Sequence, residues 1–457
     1  MIGLVWVIEA VLLGCLLTVR WTDWRVLEPA WARWLLIFGA GAAGGIALTA
    51  CLFALVGVAA GSPRAALALE IAGLAAAAWF AFRRLPAAAE STPAKPFPLR
   101  RTLWAALAAA GALATAGMAA AWQWNPQGNW DAWAIWNLRA RFLAAGAGLA
   151  QRAWSPALGA VTHTEYPLLL SSFVARAWSY GHTMSAAVPA ATSYVLFLAL
   201  VALAVGGIAV LRGRALGLAA GLVLLASPAL LREVPAQYAD VPLACYFTAA
   251  VIFALLERPV PAGIFAGAAA CTKDEGMLFL AVFLAATLAL RRRALWGTVA
   301  GALPGALLEL AFKVSLPKSG TSLAAVTLPG MGHRALDPAR YGMIAASLAR
   351  EFAGLGVGWY HPLLPLIALA IALKFGREHG RDLAFSGATA GALLLGYCGV
   401  YAVTGYDLAW QLQSSMGRLL VQVWPLAVLT AMLALRAPET WAVVTPAAKP
   451  KARRKAR

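Results

Sequence analysis

Apolar runs close to the roughly 20 residues that a bilayer-crossing helix needs recur along almost the whole chain, and they constrain the fold more than any other feature. Lipid offers no water to the backbone. Each spanning segment must therefore pair its own N–H and C=O groups, which only helices and closed barrels achieve. Barrel strands are short and alternate apolar with polar residues. The runs here are continuous and rich in Ala, Leu and Gly, which argues for helices. Composition agrees. Hydrophobic residues make up 62% of the chain and charged residues 12%, against about 45–50% and about 25% in soluble domains. The expected fold class is all-α, a polytopic transmembrane helical bundle of about 13 spans.

The predicted helices lie near 2–19, 34–60, 66–82, 103–122, 185–211, 215–231, 236–256, 260–272, 276–290, 294–312, 362–375, 383–403 and 419–436. Basic clusters alternate between them: Arg20/Arg25/Arg33, Arg83/Arg84/Lys95/Arg100/Arg101, Arg212/Arg214, Arg258, Arg291–Arg293, Lys374/Arg377/Arg381 and the tail Lys449–Arg457. Placing every cluster in the cytoplasm puts the N-terminus outside and the C-terminus inside. The net charge of +18 is then a topology signal, and no nucleic-acid motif accompanies it. The limbs 260–272 and 276–290 are short for full crossings, so a hairpin stopping inside the protein is an alternative there. The expected organisation is an accessory unit of three helices (1–84), a cytoplasmic linker (85–102), a core (103–436) with outer loops 123–184, 313–361 and 404–418, and a basic tail (437–457). No repeat of 20–50 residues is visible. The segment Ile2–Val19 lacks a basic start and a small-residue cleavage site, so it reads as a retained first helix.

The five cysteines form no CxxC and sit in apolar sequence, as small core residues do. The five histidines show no metal-ligand spacing, so the ligand pattern claims no metal site; no cofactor is expected, and dependence on a divalent metal stays open.

Charged residues that interrupt the apolar pattern mark the candidate chemistry. Asn129–Phe142 carries Trp130, Trp133 and Trp136 at three-residue spacing, which on a helix predicts one aromatic side, with Arg139 and Arg141 as a basic edge. Such a helix lies in the membrane interface, with indoles at headgroup depth. Asp131 near its start reads either as a cap or as a functional acid. Glu165, in His163-Thr-Glu-Tyr-Pro, is a capping acid or a second functional carboxylate, and His163 alone reads as an ordinary loop histidine. Asp240 falls several residues into a predicted span. A charge there costs roughly 2.5–3.5 kcal/mol at a helix centre and faces a polar cavity. Thr272-Lys273-Asp274-Glu275-Gly276 places three charges between apolar limbs, as a loop clearing the membrane or as a site. Arg418, at the mouth of the last span, suits a lipid phosphate or a snorkelling position.

In this order the pieces resemble bacterial membrane glycosyltransferases of the GT-C fold, in the branch related to protein O-mannosyltransferases and lipid A aminoarabinose transferases. Trp130-Asp131 through Arg139-Ala140-Arg141 looks like the acidic first outer loop and its short interfacial helix. Tyr166-Pro167 matches a Tyr-Pro entry into a helix, and Tyr238-Ala239-Asp240 an Asp heading a later one. Gly263–Gly267 running into Thr272-Lys273 resembles a Gly-rich helix ending in Thr-Lys-Gly, with Asp274-Glu275 as a departure. Asp407-Leu408-Ala409-Trp410 with Arg418 is similar to an uncharacterised subgroup. The resemblance covers about 103–436. The single acid of the first loop, followed by Ala132, is a second departure.

The resemblance implies a GT-C-like bundle with short interfacial helices, moving a sugar from a polyprenyl-phosphate donor to a lipid, glycan or protein acceptor. The reaction would occur at the outer face of the bacterial cytoplasmic membrane, among membrane lipids, with inversion at the anomeric carbon or through a covalent intermediate. Asp131 is then the first choice of base, with Glu165 and Asp240 as further catalytic acids. Arg139, Arg141, His163, Tyr166, Lys273, Asp274, Glu275 and Arg418 would hold substrate and lipid phosphate. The rival expectation is a polytopic transporter or lipid flippase, because broken helices with buried charges also mark transport paths.

Overall fold

The computed structural model describes residues 2–19, 24, 27–82, 100–158, 162–316, 327–376 and 378–440. Most of the linker 85–102, the tail 449–457 and the basic residues Arg20, Arg25, Arg83, Arg84, Lys95 and Arg377 lie outside them. The described residues form an all-α structure with no strand beyond two isolated bridges. Apart from short helical pieces, the elements are α1 (Ile2–Thr18), α2 (Ala30–Leu52), α3 (Pro63–Phe82), α4 (Arg100–Trp124), α5 (Asn137–Ala144), α6 (Leu169–Gly181), α7 (Ala187–Arg212), α8 (Arg214–Leu225) and α9 (Pro228–Ala236). They continue with α10 (Asp240–Leu255), α11 (Pro259–Ala270), α12 (Asp274–Leu290), α13 (Leu295–Ser315), α14 (Pro338–Ala353), α15 (Leu363–Leu373), α16 (Gly380–Val403) and α17 (Leu408–Ala434).

A helix stands at each of the thirteen apolar runs. By length and composition, seven described helices can cross a membrane, or eight if α8 and α9, bent by 63° at Ala226–Ser227, count as one span. The remaining apolar helices are shorter, α1, α10, α11 and α15 among them. Proline opens α9, α11 and α14, where its missing N–H has no intrahelical partner to lose. Close helix contacts rest on small residues. A Cβ on Gly45 would lie 1.9 Å from the Ala10 carbonyl, and one on Gly263 2.0 Å from that of Thr298, so α1–α2 and α11–α13 meet backbone to backbone. α10 forms the centre of the bundle, with all its residues buried.

Two helices that are not among the thirteen predicted spans lie within the expected outer loops, α6 just after the Tyr166-Pro167 entry and α14. α6 is almost wholly buried, and its central Arg176 interrupts the apolar pattern. α14 is amphipathic, begins at the N-cap Asp337, whose carboxylate accepts from Ala339 N (3.0 Å), and packs on α16 and α17. α17 begins at Leu408, not near residue 419. Asp407 caps it by accepting from Trp410 N at 2.8 Å. The polar stretch Gln411–Ser415 is therefore helix, and Arg418 lies about three turns inside it instead of at its mouth.

The chain ends of the helices sort into two sets. One end of the bundle gathers Arg212 on the Leu435 carbonyl, Arg291 on Asp382 and on the Ala254 carbonyl (3.0 Å), and Glu439 on Ala215 N (2.9 Å). The other gathers the segments around Asp131, Glu165, Asp240, Lys273 and Arg418. The Ala236 carbonyl accepts from Asn129 N (3.1 Å), and the Cys271 carbonyl from Leu169 N (3.0 Å).

Candidate functional site

Four segments remote in sequence converge on Arg418. Its Nη2 lies 2.7 Å from Asp131 Oδ2 and its Nε donates to Asp240 Oδ2 at 3.0 Å, while its guanidinium stands 4.5 Å from the centre of the Tyr238 ring. Asp240, at the first turn of α10, is completely enclosed. Its other oxygen accepts from Gln422 Nε2 and faces Lys273 Nζ at 3.5 Å. Lys273, at the α11–α12 turn, continues to Glu275 at 2.7 Å. Burial works against the Lys273 ammonium, but Asp240 and Glu275 outweigh it and raise its pKa. Tyr397 Oη donates to Gln422 Oε1 at 2.6 Å and so fixes which end of the amide faces Asp240.

Asp131 does not cap its helix: its side chain makes no cap hydrogen bond and turns to Arg418 instead. The turn Ala132–Trp136 that follows is π-helical. Its wider spacing separates the three indoles. Trp130 and Trp133 are exposed and in edge contact at 4.6 Å, whereas Trp136 is buried and stacks on Tyr166 at 5.6 Å. The single aromatic side expected from three-residue spacing is absent for this reason.

A second cluster adjoins the first. Arg139 is buried and donates to the carbonyls of His163 and Tyr166, so it shapes the loop that holds Glu165. Burial pushes its pKa down to about 10, with Glu165 and Asp274 opposing. Glu165 Oε1 accepts from His163 Nδ1 at 3.3 Å, and the His163 ring stacks on Tyr166 at 4.5 Å. Burial raises the Glu165 carboxyl, but the His163 contact, a backbone donor and the Lys313 charge together hold it below its usual range. Lys313 ties the cluster to α12 and α13, at 2.6 Å from the Glu165 carbonyl, 2.6 Å from Asp274 and 3.7 Å from Glu309.

Asp131, Asp240, Lys273, Glu275 and Arg418 thus share one network, with Tyr166 beneath Lys273 at 5.9 Å. Glu165, His163, Asp274 and Arg139 form its flank. Arg141 is exposed on α5 and joins neither. Gln422, Tyr397, Tyr238, Lys313 and Glu309 are members that the sequence reading did not select. Gln422 carried a signal, as an amide inside an apolar run. Glu233 of α9 is a further acid near Asp240, Arg418 and Asp131, and its Oε2 is buried without a hydrogen-bond partner.

Among the described residues no group of three or more His, Cys, Asp and Glu is placed to hold a metal ion. The arrangement offers a guanidinium and an ammonium for an anion, and a carboxylate at the edge for a proton. α1, α4, α7 and α9 line an open apolar groove of about 250 Å³, with Leu4, Met118, Trp122, Tyr194 and Pro235 among its walls. No family model, no curated protein and no solved structure matches this chain.

Proposed function

We propose that the chain is a GT-C-like membrane glycosyltransferase of about 13 spans that moves a sugar from a polyprenyl-phosphate donor at the outer face of the bacterial cytoplasmic membrane. The single observation that carries this reading is the network that joins Asp131, Asp240, Lys273 and Arg418 at one end of a helical bundle. In the proposed mechanism Arg418 and Lys273 stabilise the leaving phosphate, and Asp131, the partly exposed acid of the network, accepts the proton of the attacking hydroxyl. Asp240 keeps Arg418 in place. Both its oxygens are committed and no part of it is exposed, so positioning suits it better than proton transfer. The apolar groove beside α9 supplies surface suited to a lipid chain.

Metabolic labelling of a deletion strain, followed by mass spectrometry of lipids and glycans, tests the reading. The expected result is accumulation of one unused lipid-linked sugar and loss of that sugar from one acceptor. Unchanged profiles would overturn it. Orientation is tested by a Gln127→Cys probe in a background without native cysteines, which should label from outside intact cells. The transporter or flippase reading is favoured by the 63° break between α8 and α9 and by charges at the α11–α12 turn. It predicts that the deletion strain traps the lipid-linked sugar on the cytoplasmic leaflet.

A further inference from the structure

Arg418 holds two carboxylates of different accessibility. The bond to Asp240 is sealed inside the bundle, with the Asp240 side chain 0% exposed. The bond to Asp131 is partly exposed, with side-chain exposures of 18% and 13%. Their supports differ as well. Asp240, Gln422 and Arg418 sit on α10 and α17, which pack against each other. Asp131 stands at the junction of a loop and a π turn. Gly128 there has a φ of +72°, and the loop is held by Gln237 donating to the Pro126 carbonyl at 3.1 Å. Arg418 therefore has one sealed partner, Asp240, and one reachable partner, Asp131.

The proposed reaction sharpens this contrast. In an inverting displacement the attacking and leaving oxygens lie on opposite sides of the sugar carbon. The base on one and the cation on the other are then separated by the sugar. At 2.7 Å, Asp131 and Arg418 leave no room for it. The pair has to part before reaction, and an anion offered to Arg418 is what can part it, since a phosphate competes for the same N–H groups that the carboxylate uses.

We propose that the Asp131–Arg418 pair is an exchangeable latch: the phosphate of the lipid-linked donor, a diester until the sugar leaves and a monoester afterwards, takes Arg418 Nη2 from Asp131 and so releases the carboxylate for proton transfer. This rests on the phosphate-donor reading above and adds to it a substrate-gated base. Arrival of the donor headgroup and availability of the base become one event. With the site empty, the base is tied up against its own cation. Linkage makes the effect reciprocal: whatever removes Asp131 from Arg418 must improve phosphate binding.

The test measures binding of geranyl phosphate and of inorganic phosphate to the full-length protein in nanodiscs, for the wild type, Asp131→Asn and Arg418→Gln. The latch predicts that Asp131→Asn binds geranyl phosphate about fivefold or more tighter, even though it does not transfer sugar, and that Arg418→Gln binds about tenfold or more weaker. A like response with inorganic phosphate upholds the latch for any phosphate. A response confined to geranyl phosphate upholds it for a lipid source. Unchanged or weaker binding by Asp131→Asn would overturn the latch and make the pair a structural tie, while measurable geranyl phosphate binding would leave the donor reading standing. Absence of geranyl phosphate binding in both wild type and Asp131→Asn would overturn the latch and the donor reading together. Asp131→Ser serves the same comparison should the Asn variant fail to fold.

Discussion

Two arginines organise this molecule, and they do different work. Arg176, in the middle of α6, is wholly enclosed. Its Nε donates to Glu70 at 2.7 Å, its Nη2 pairs with Glu9 and, at 2.6 Å, with Glu70, and its Nη1 donates to the Trp6 carbonyl at 2.8 Å. Phe173 and Tyr180 flank it at 5.6 and 5.3 Å, and Tyr180 Oη donates to Glu70 at 3.1 Å. Arg418 has the same chemistry, two carboxylates and an aromatic ring, but one of its carboxylates stands at an open edge. The first network fastens α1 and α3 to α6; the second joins the ends of several elements at one end of the bundle. Burial of a charge therefore does not by itself mark a site. The position of the last hydrogen bond, sealed or reachable, separates a clamp from a candidate reaction centre.

The contrast is broken most directly at Asp131. Asp131→Asn keeps the size of the side chain and cannot take a proton. Transfer should fall on the order of 10²- to 10⁴-fold with folding and membrane insertion intact. Transfer assays beside thermal unfolding in detergent decide it. Wild-type turnover by this variant would remove Asp131 from the chemistry and leave Glu165 as the acid to test in the same way.

Arg176→Met should do the reverse. It strands Glu9 and Glu70 in the interior, at a cost of about 3–5 kcal/mol. Thermal unfolding should show the loss, while transfer per folded molecule stays near wild type. A folded Arg176→Met protein with no transfer would place the N-terminal helices in the mechanism and end the distinction between clamp and centre.

Lys273→Met probes a residue that belongs to both descriptions. It is buried like Arg176, yet Asp240 links it to Arg418. Loss of one fixed cation facing a leaving phosphate should cost about 10²-fold in turnover at limiting donor. A stability loss with unchanged donor dependence would class Lys273 with Arg176.

The helices were legible in the sequence because a bilayer forces each one to be continuous and apolar, and Asp131, Asp240 and Lys273 were legible because charge in such surroundings is costly enough to need a reason. Other features left no such trace. The pairing of Arg176 with Glu9 and Glu70 spans 167 and 106 positions, and a tertiary ion pair has no period to detect. Arg176 interrupts the apolar run of α6, so only the Tyr-Pro entry ahead of it pointed to a helix there. The first turns of α17 looked like loop because Gln411, Gln413, Ser414 and Ser415 are polar; Ser415 in fact meets Tyr401 Oη at 2.7 Å. The π turn at Ala132–Trp136 moved Trp136 away from its two neighbours, and residue spacing assumes an α-helix.

The smallest expected effect is the finest test of the comparison. Tyr397 touches no group that would react. Its hydroxyl donates to Gln422 Oε1, and the other end of that amide donates to Asp240, which holds Arg418. If the open network is built in tiers, removing its outermost tier should disturb Arg418 slightly and Asp131 not at all. Tyr397→Phe deletes the one donor seen on the amide oxygen. Interhelical hydrogen bonds in a membrane protein are worth about 0.6 kcal/mol on average, a factor of roughly three. Stability and turnover should both fall by no more than that, and the turnover loss should vanish in a Gln422→Met background, where there is no amide left to orient. A loss above about tenfold at unchanged stability, persisting in that background, would mean that the tyrosine acts on the chemistry directly, and the boundary between reaction centre and support would have to be moved inward along α16.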